Sequence, residues 1–169
     1  MPARTKTLQY DVASKIVALK EQKYVAPSDY TALSFDAATA LAKHHTRLEF
    51  PGLSRISPRV ASALATQKGT LVLNGFCTMA KSIARALAAH EGKLVLKNLV
   101  TLDTAALETL AAHDGPVLLP AFRPAHEDDF RQRQILARHG NLRYDDAAID
   151  VFAGINLAKY RWCRLERDD

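Results

Sequence analysis

Three histidines and a glutamine fall at one phase of this chain: His44, Gln67, His90 and His113, each 23 positions after the last. Imidazole is a common metal ligand, so such a column invites a metal reading. Geometry opposes it. Helices packed side by side lie about 8–10 Å apart, whereas zinc–nitrogen bonds are about 2.0–2.1 Å. Neighbouring imidazoles would struggle to converge on one ion. A histidine at a helix C-terminus already has a structural role against the negative end of the helix dipole.

His126-Glu127-Asp128-Asp129 also holds ligand-type side chains, but it follows Pro124. Acidic residues there fit the first turn of a helix, and Asp145-Asp146 fit the start of the next. Cys77 and Cys163 lie outside any paired metal or disulfide spacing. They are expected to be reduced thiols. Arg161, Arg164 and Arg167 alternate with Tyr160 and Trp162, a pattern that suits nucleic acid. Glu166 and Asp168-Asp169 dilute it, and a cap face with Trp162 and Leu165 packed inward competes with it. Glycine-rich phosphate loops, nucleophile elbows and helical zinc-protease motifs are absent from the sequence. No catalytic residue, metal or cofactor is expected.

Composition fits one domain of 169 residues with a real core. The net charge of +5 is small against 24% charged residues, a weak bias towards acidic partners. The sequence shows no apolar run long enough to cross a bilayer and no signal peptide, so the cytoplasm is the expected compartment.

The elements that position these residues recur without gaps over 48–70, 71–93 and 94–116. Leu48, Leu71 and Leu94 share a column, as do Phe50, Leu73 and Leu96. Leu53, Phe76 and Leu99 form the next column, and Ile56, Met79 and Leu102 the one after. Each unit opens with a short alternating segment that predicts a strand, followed by a turn at Pro51-Gly52, Asn74-Gly75 or Lys97-Asn98. Val60, Ala61, Leu64 and Ala65, then Ile83, Ala84, Leu87 and Ala88, follow a helical stripe. Ser57-Pro58 and Asp103 predict N-caps, while Ala80 is a weak one. Gly69, Gly92 and Gly115 are expected to end the helices in a left-handed conformation.

A strand, turn and helix of this length must stack on copies of itself to bury its apolar face. The recurring Leu-x-Leu-x-x-Leu/Phe-x-x-Ile/Leu/Met core resembles the leucine-rich repeat family, bacterial type with 23-residue repeats. That resemblance implies an α/β solenoid with a short parallel β-sheet on the concave side, helices on the convex side and helical caps. The position commonly held by asparagine is instead the apolar column Leu53, Phe76, Leu99. One solenoid domain is expected over 1–169. Residues 1–24 form a helical cap with the stripe Leu8, Val12, Ile16 and Leu19. About five repeats span 25–144, the first without a convincing strand and the fifth longer, and 145–169 form the second cap.

Strand residues pointing away from the helices should line the concave face in rows: Arg47, Thr70, Lys93; then Glu49, Val72, Val95, Leu118; then Asn74 and Lys97. Val72, Val95 and Leu118 make an apolar row where a solvated sheet would be polar, the mark of a contact surface. The expected function is a non-enzymatic module that binds a protein partner there. The alternatives are a nucleic-acid-associated protein using Arg161, Arg164 and Arg167, and a structural subunit of a larger assembly.

Overall fold

In a computed structural model, the structure describes residues 6–18, 24–25, 30–43, 47–124 and 129–144. Strand and helix alternate through them. The order is β1 (Thr7–Leu8), α1 (Tyr10–Ala18), β2 (Tyr24–Val25), β3 (Ala32–Leu33), α2 (Phe35–Ala42), β4 (Arg47–Phe50) and α3 (Pro58–Ala65). It continues with β5 (Leu71–Leu73), α4 (Lys81–Ala88), β6 (Leu94–Val95), α5 (Thr104–Ala111), β7 (Val117–Leu119), α6 (Asp129–Arg138) and β8 (Leu142–Tyr144).

The fold is mixed α/β, with a parallel six-stranded sheet in the order β2-β4-β5-β6-β7-β8 and a small parallel pair β1-β3. The 23-residue columns become the sheet register. Leu48 pairs with Leu71, Leu71 with Leu94, Leu94 with Val117 and Val117 with Leu142. The period continues past the strands. Val100 N–H donates to Cys77 O and Arg123 N–H to Val100 O, both at 2.8 Å. Thr78 and Thr101 form a further parallel bridge.

Leu48, Phe50, Leu71, Leu73, Leu94 and Leu96 join the buried helix residues Val60, Leu64, Leu87 and Leu107 in one cluster. Each such side chain contributes about 1.5–3 kcal/mol by leaving water. That burial holds the helices, because isolated segments of eight residues are too short to be stable. α1 through α5 each pack on the next helix, and α5 packs on α6. Leu53, Phe76 and Leu99 are buried in the same core, so the apolar wedge lies where the columns put it.

The helix starts follow the sequence. Ser57 Oγ accepts from Val60 N–H at 3.2 Å and Asp103 Oδ1 from Ala106 N–H at 2.6 Å, while Ala80 makes no side-chain cap bond. The helix ends do not. No glycine among the described residues has positive φ, and the C-cap residues Thr66, Ala89 and Ala112 are right-handed. The glycines serve close approach instead. A Cβ on Gly92 would collide with Gly69 O, and one on Gly115 with Gly92 O, so backbone stacks on backbone there.

Two other expectations change at the N-terminal end. Tyr24–Val25 is a strand that pairs with β4 in the same period, Val25 against Leu48. Two ladder positions are too few for an alternation signal to reveal. Leu8 lies in β1, fully buried, and the helix starts only at Tyr10. Ala13 is its buried residue, Ile16 and Val17 pack beside the core, and Val12 is exposed. Leu19 and the expected cap over 145–169 lie outside the described residues.

Candidate functional site

Alternate strand residues point away from the helices, and the pairing sets them in rows. Glu49 lies against Val72, Val72 against Val95 and Val95 against Leu118. The expected juxtaposition is therefore present, but its exposure is not. Val72 is 0% exposed and Val95 7%, yet neither belongs to the helix-facing core. Glu49 and Leu118, at the ends of the row, are half-buried. The apolar row is covered at its centre rather than open.

A polar network borders it. Glu49 Oε2 accepts from Arg47 at 2.9 Å, and Glu49 Oε1 accepts from Asn74 Nδ2 at 3.1 Å. Asn98 Nδ2 donates to Asn74 O at 2.6 Å. Asn74 is only 9% exposed, and its Oδ1 is buried without a hydrogen-bond partner. The Arg47–Glu49 ion pair is partly solvated, and such pairs contribute at most about 1 kcal/mol. Its role is to orient Glu49 towards Asn74. Lys93 and Lys97 are exposed and Thr70 half-buried. The face thus has a dry apolar centre, a carboxylate–amide network on one side and a cationic rim.

This network was missed in the sequence, where Asn74 reads as a turn residue. The offset pair Asn74 and Asn98, one position out of column, is the only trace it leaves there.

The helix-end column is a second polar assembly. Gln67, His90 and His113 are buried, while His44 lies outside the described residues. Each backbone N–H closes a final turn, on Leu64, Leu87 and Leu110 O respectively. His90 then reaches into the preceding unit, with Nδ1 3.3 Å from Ala65 O and Nε2 3.1 Å from Gly69 O. A neutral imidazole has one N–H, so it satisfies one of these carbonyls at a time. Burial holds the His90 pKa below its ordinary value of 6.5; the carbonyl contacts oppose that, and the neighbouring His113 adds to it. Asn141, just before β8 and outside the column, donates to Ala111 O and His113 O.

The rings of His90 and His113 have centroids 5.9 Å apart. Among the described residues, no group of three or more His, Cys, Asp or Glu could hold a metal ion. His90 ties its helix end to the preceding unit through backbone carbonyls, whereas His113 Nδ1 accepts locally from Gly115 N–H at 2.8 Å.

Cys77, in the turn after β5, is buried and disulfide-bonded, contrary to the reduced thiol expected from its isolation in the sequence. Linear spacing says nothing about a partner brought close by the fold. His126-Glu127-Asp128 and Arg161, Arg164 and Arg167 lie outside the described residues. α6 does begin at Asp129. No described helix is long and apolar enough to cross a membrane. No family model, curated protein or solved structure matches this chain.

Proposed function

We propose that the chain is a non-enzymatic, leucine-rich-repeat-like solenoid that binds another protein through the concave face of its sheet. The observation that supports this is the pairing register. It sets the half-buried Glu49 and Leu118 at the two ends of one continuous row whose centre, Val72 and Val95, is buried, and that row is bordered by the exposed Arg47, Lys93 and Lys97. Rows built from several repeats suit a broad partner surface rather than a small pocket. The cations at the rim favour a partner with acidic side chains facing them.

The test is affinity purification from the native host with wild-type bait and with a Lys93→Glu/Lys97→Glu bait. An Arg85→Glu bait, altered on exposed α4, serves as control. Partners held by the concave face are recovered by wild type and control and lost by the rim variant. Equal recovery by all three baits would sink the concave-face assignment.

A further inference from the structure

Asn74-Gly75 is the one Asn-Gly pair in the chain, and it lies directly after β5. We propose that it is a modification site: a deamidation point that the folded stack holds inert, that reacts when the units around it part, and whose product keeps them parted. The site is a property of this chain alone and stands whether or not a partner uses the face.

Asparagine is among the thermolabile side chains, and the residue after it governs its reactivity. Deamidation begins when the backbone nitrogen of that residue, having lost its proton to base, attacks the asparagine Cγ. Glycine puts no side chain in the way, whereas Asn98 and Asn141 each precede leucine. The bond from Gly75 N to Asn74 Cγ forms and the Cγ–Nδ2 bond breaks. Ammonia leaves with a proton taken from water, which restores the base. The cyclic imide then adds one water, opening at Cγ to aspartate or at the backbone carbonyl to isoaspartate. Asparagine and water become aspartate or isoaspartate and ammonia, with no change of oxidation state.

The fold opposes the ring closure. Closure must turn the Asn74 side chain and its carbonyl, and both are held. Nδ2 donates to Glu49 Oε1 at 3.1 Å, and Asn74 O accepts from Asn98 Nδ2 at 2.6 Å. Asn74 N–H donates to Phe50 O at 3.2 Å. Gly75, which would attack, is buried against the Leu53 backbone, where even a Cβ would collide with Leu53 O. These partners belong to the units on either side, 48–70 and 94–116, so parting from them frees the pair. The lock also has a weak point. A carboxylate only accepts, so Glu49 takes the amide N–H and leaves Asn74 Oδ1 buried without a hydrogen-bond partner. Opening lets water reach that oxygen and relieves its cost.

The product does not fit back. Aspartate at 74 sets a second carboxylate against Glu49 where an amide had donated, and like charges that close repel. Isoaspartate adds a methylene to the backbone just after β5, which shifts the chain from the register that the Phe50 and Asn98 bonds need.

The test compares full-length protein held at mildly alkaline pH with the same protein held there in urea. After reduction, alkylation and trypsin, residues 69–81 carry the site, and their mass and labelling by isoaspartate methyltransferase count the product. Conversion is expected in urea within days. In the native protein it should be at least about ten-fold slower, because the native rate follows the open population. Equal rates would overturn the lock, and an unreactive Asn74 in urea would overturn the site. Glu49→Ala should speed native conversion several-fold and leave the urea rate unchanged; an unmoved native rate counts against the lock. Asn74→Asp, which stands for one product, should lower the urea midpoint, and adding Glu49→Gln should recover most of that loss. A wild-type midpoint for Asn74→Asp would refute the irreversibility. None of these readouts involves a partner, so failure here is distinct from failure of the binding role.

Discussion

Within one strand, Leu71 and Val72 are neighbours, both fully buried, and they are buried for different reasons. Leu71 faces helices that every unit brings with it, so its environment repeats at Leu48 and Leu94. Val72 faces away from that core, and its burial is confined to the central strands. Burial on the helix side is thus built into the period, whereas burial on the outer side does not recur with it.

The largest expected effect tests that split directly. Leu94→Ala empties a helix-facing site and should cost about 3 kcal/mol. Val72→Ala removes two methyl-sized groups and should cost about 1.5 kcal/mol. Urea denaturation measures both losses, and equal losses would erase the distinction between the faces.

Next in size is Gly92→Ala. Its Cβ has no room beside Gly69 O, so the units must separate, and a loss of about 2 kcal/mol is expected. Gly140→Ala, with nothing within 4 Å of the added carbon, should stay within about 0.5 kcal/mol. Thermal melts compare the two.

The histidine column gives a pH signature. The folded pKa of His90 is lowered, so the fold prefers the neutral ring and unfolding takes up a proton at acid pH. Its contribution is full above the unfolded value of about 6.5 and is lost as pH falls below it, with a slope of at most about 1.4 kcal/mol per pH unit. His90→Gln, which places in this column the residue native at 67, should flatten the slope between pH 7 and 5 in urea midpoints. An unchanged slope would remove His90 as its source.

Capping gives the smallest effects, on the helix layer alone. Ser57→Ala should lose about 1 kcal/mol, and Ala80→Asp should gain about 0.5 kcal/mol by supplying the missing side-chain acceptor. Urea midpoints of the two variants against wild type check both changes.

Most of the fold was legible in the sequence, because stacked units convert a linear period into a spatial register. The Leu48, Leu71 and Leu94 column became a ladder without slippage. The errors fall where the signal was short or ambiguous. β2 has only two residues. Leu8 fits a helical stripe and a strand equally well. The glycine column has two physical uses, and the sequence does not distinguish a left-handed turn from a backbone contact. The candidate face was legible in its rows but not in its exposure. Alternation says which way a side chain points, and nothing about what lies on it.

The pairing has one more consequence, for the length of the molecule. Residues 71–93 meet on either side a unit of equal length in equal register. A tandem copy inserted after Lys93 would find leucine against leucine at both new joints and Gly69-type carbonyls beside its own glycine. The chain can therefore be lengthened at that seam one unit at a time. At the β7–β8 step the spacing grows to 25 residues, Val117 against Leu142, and a duplicate there would carry its irregularity into the stack. The central seam is where this architecture can grow.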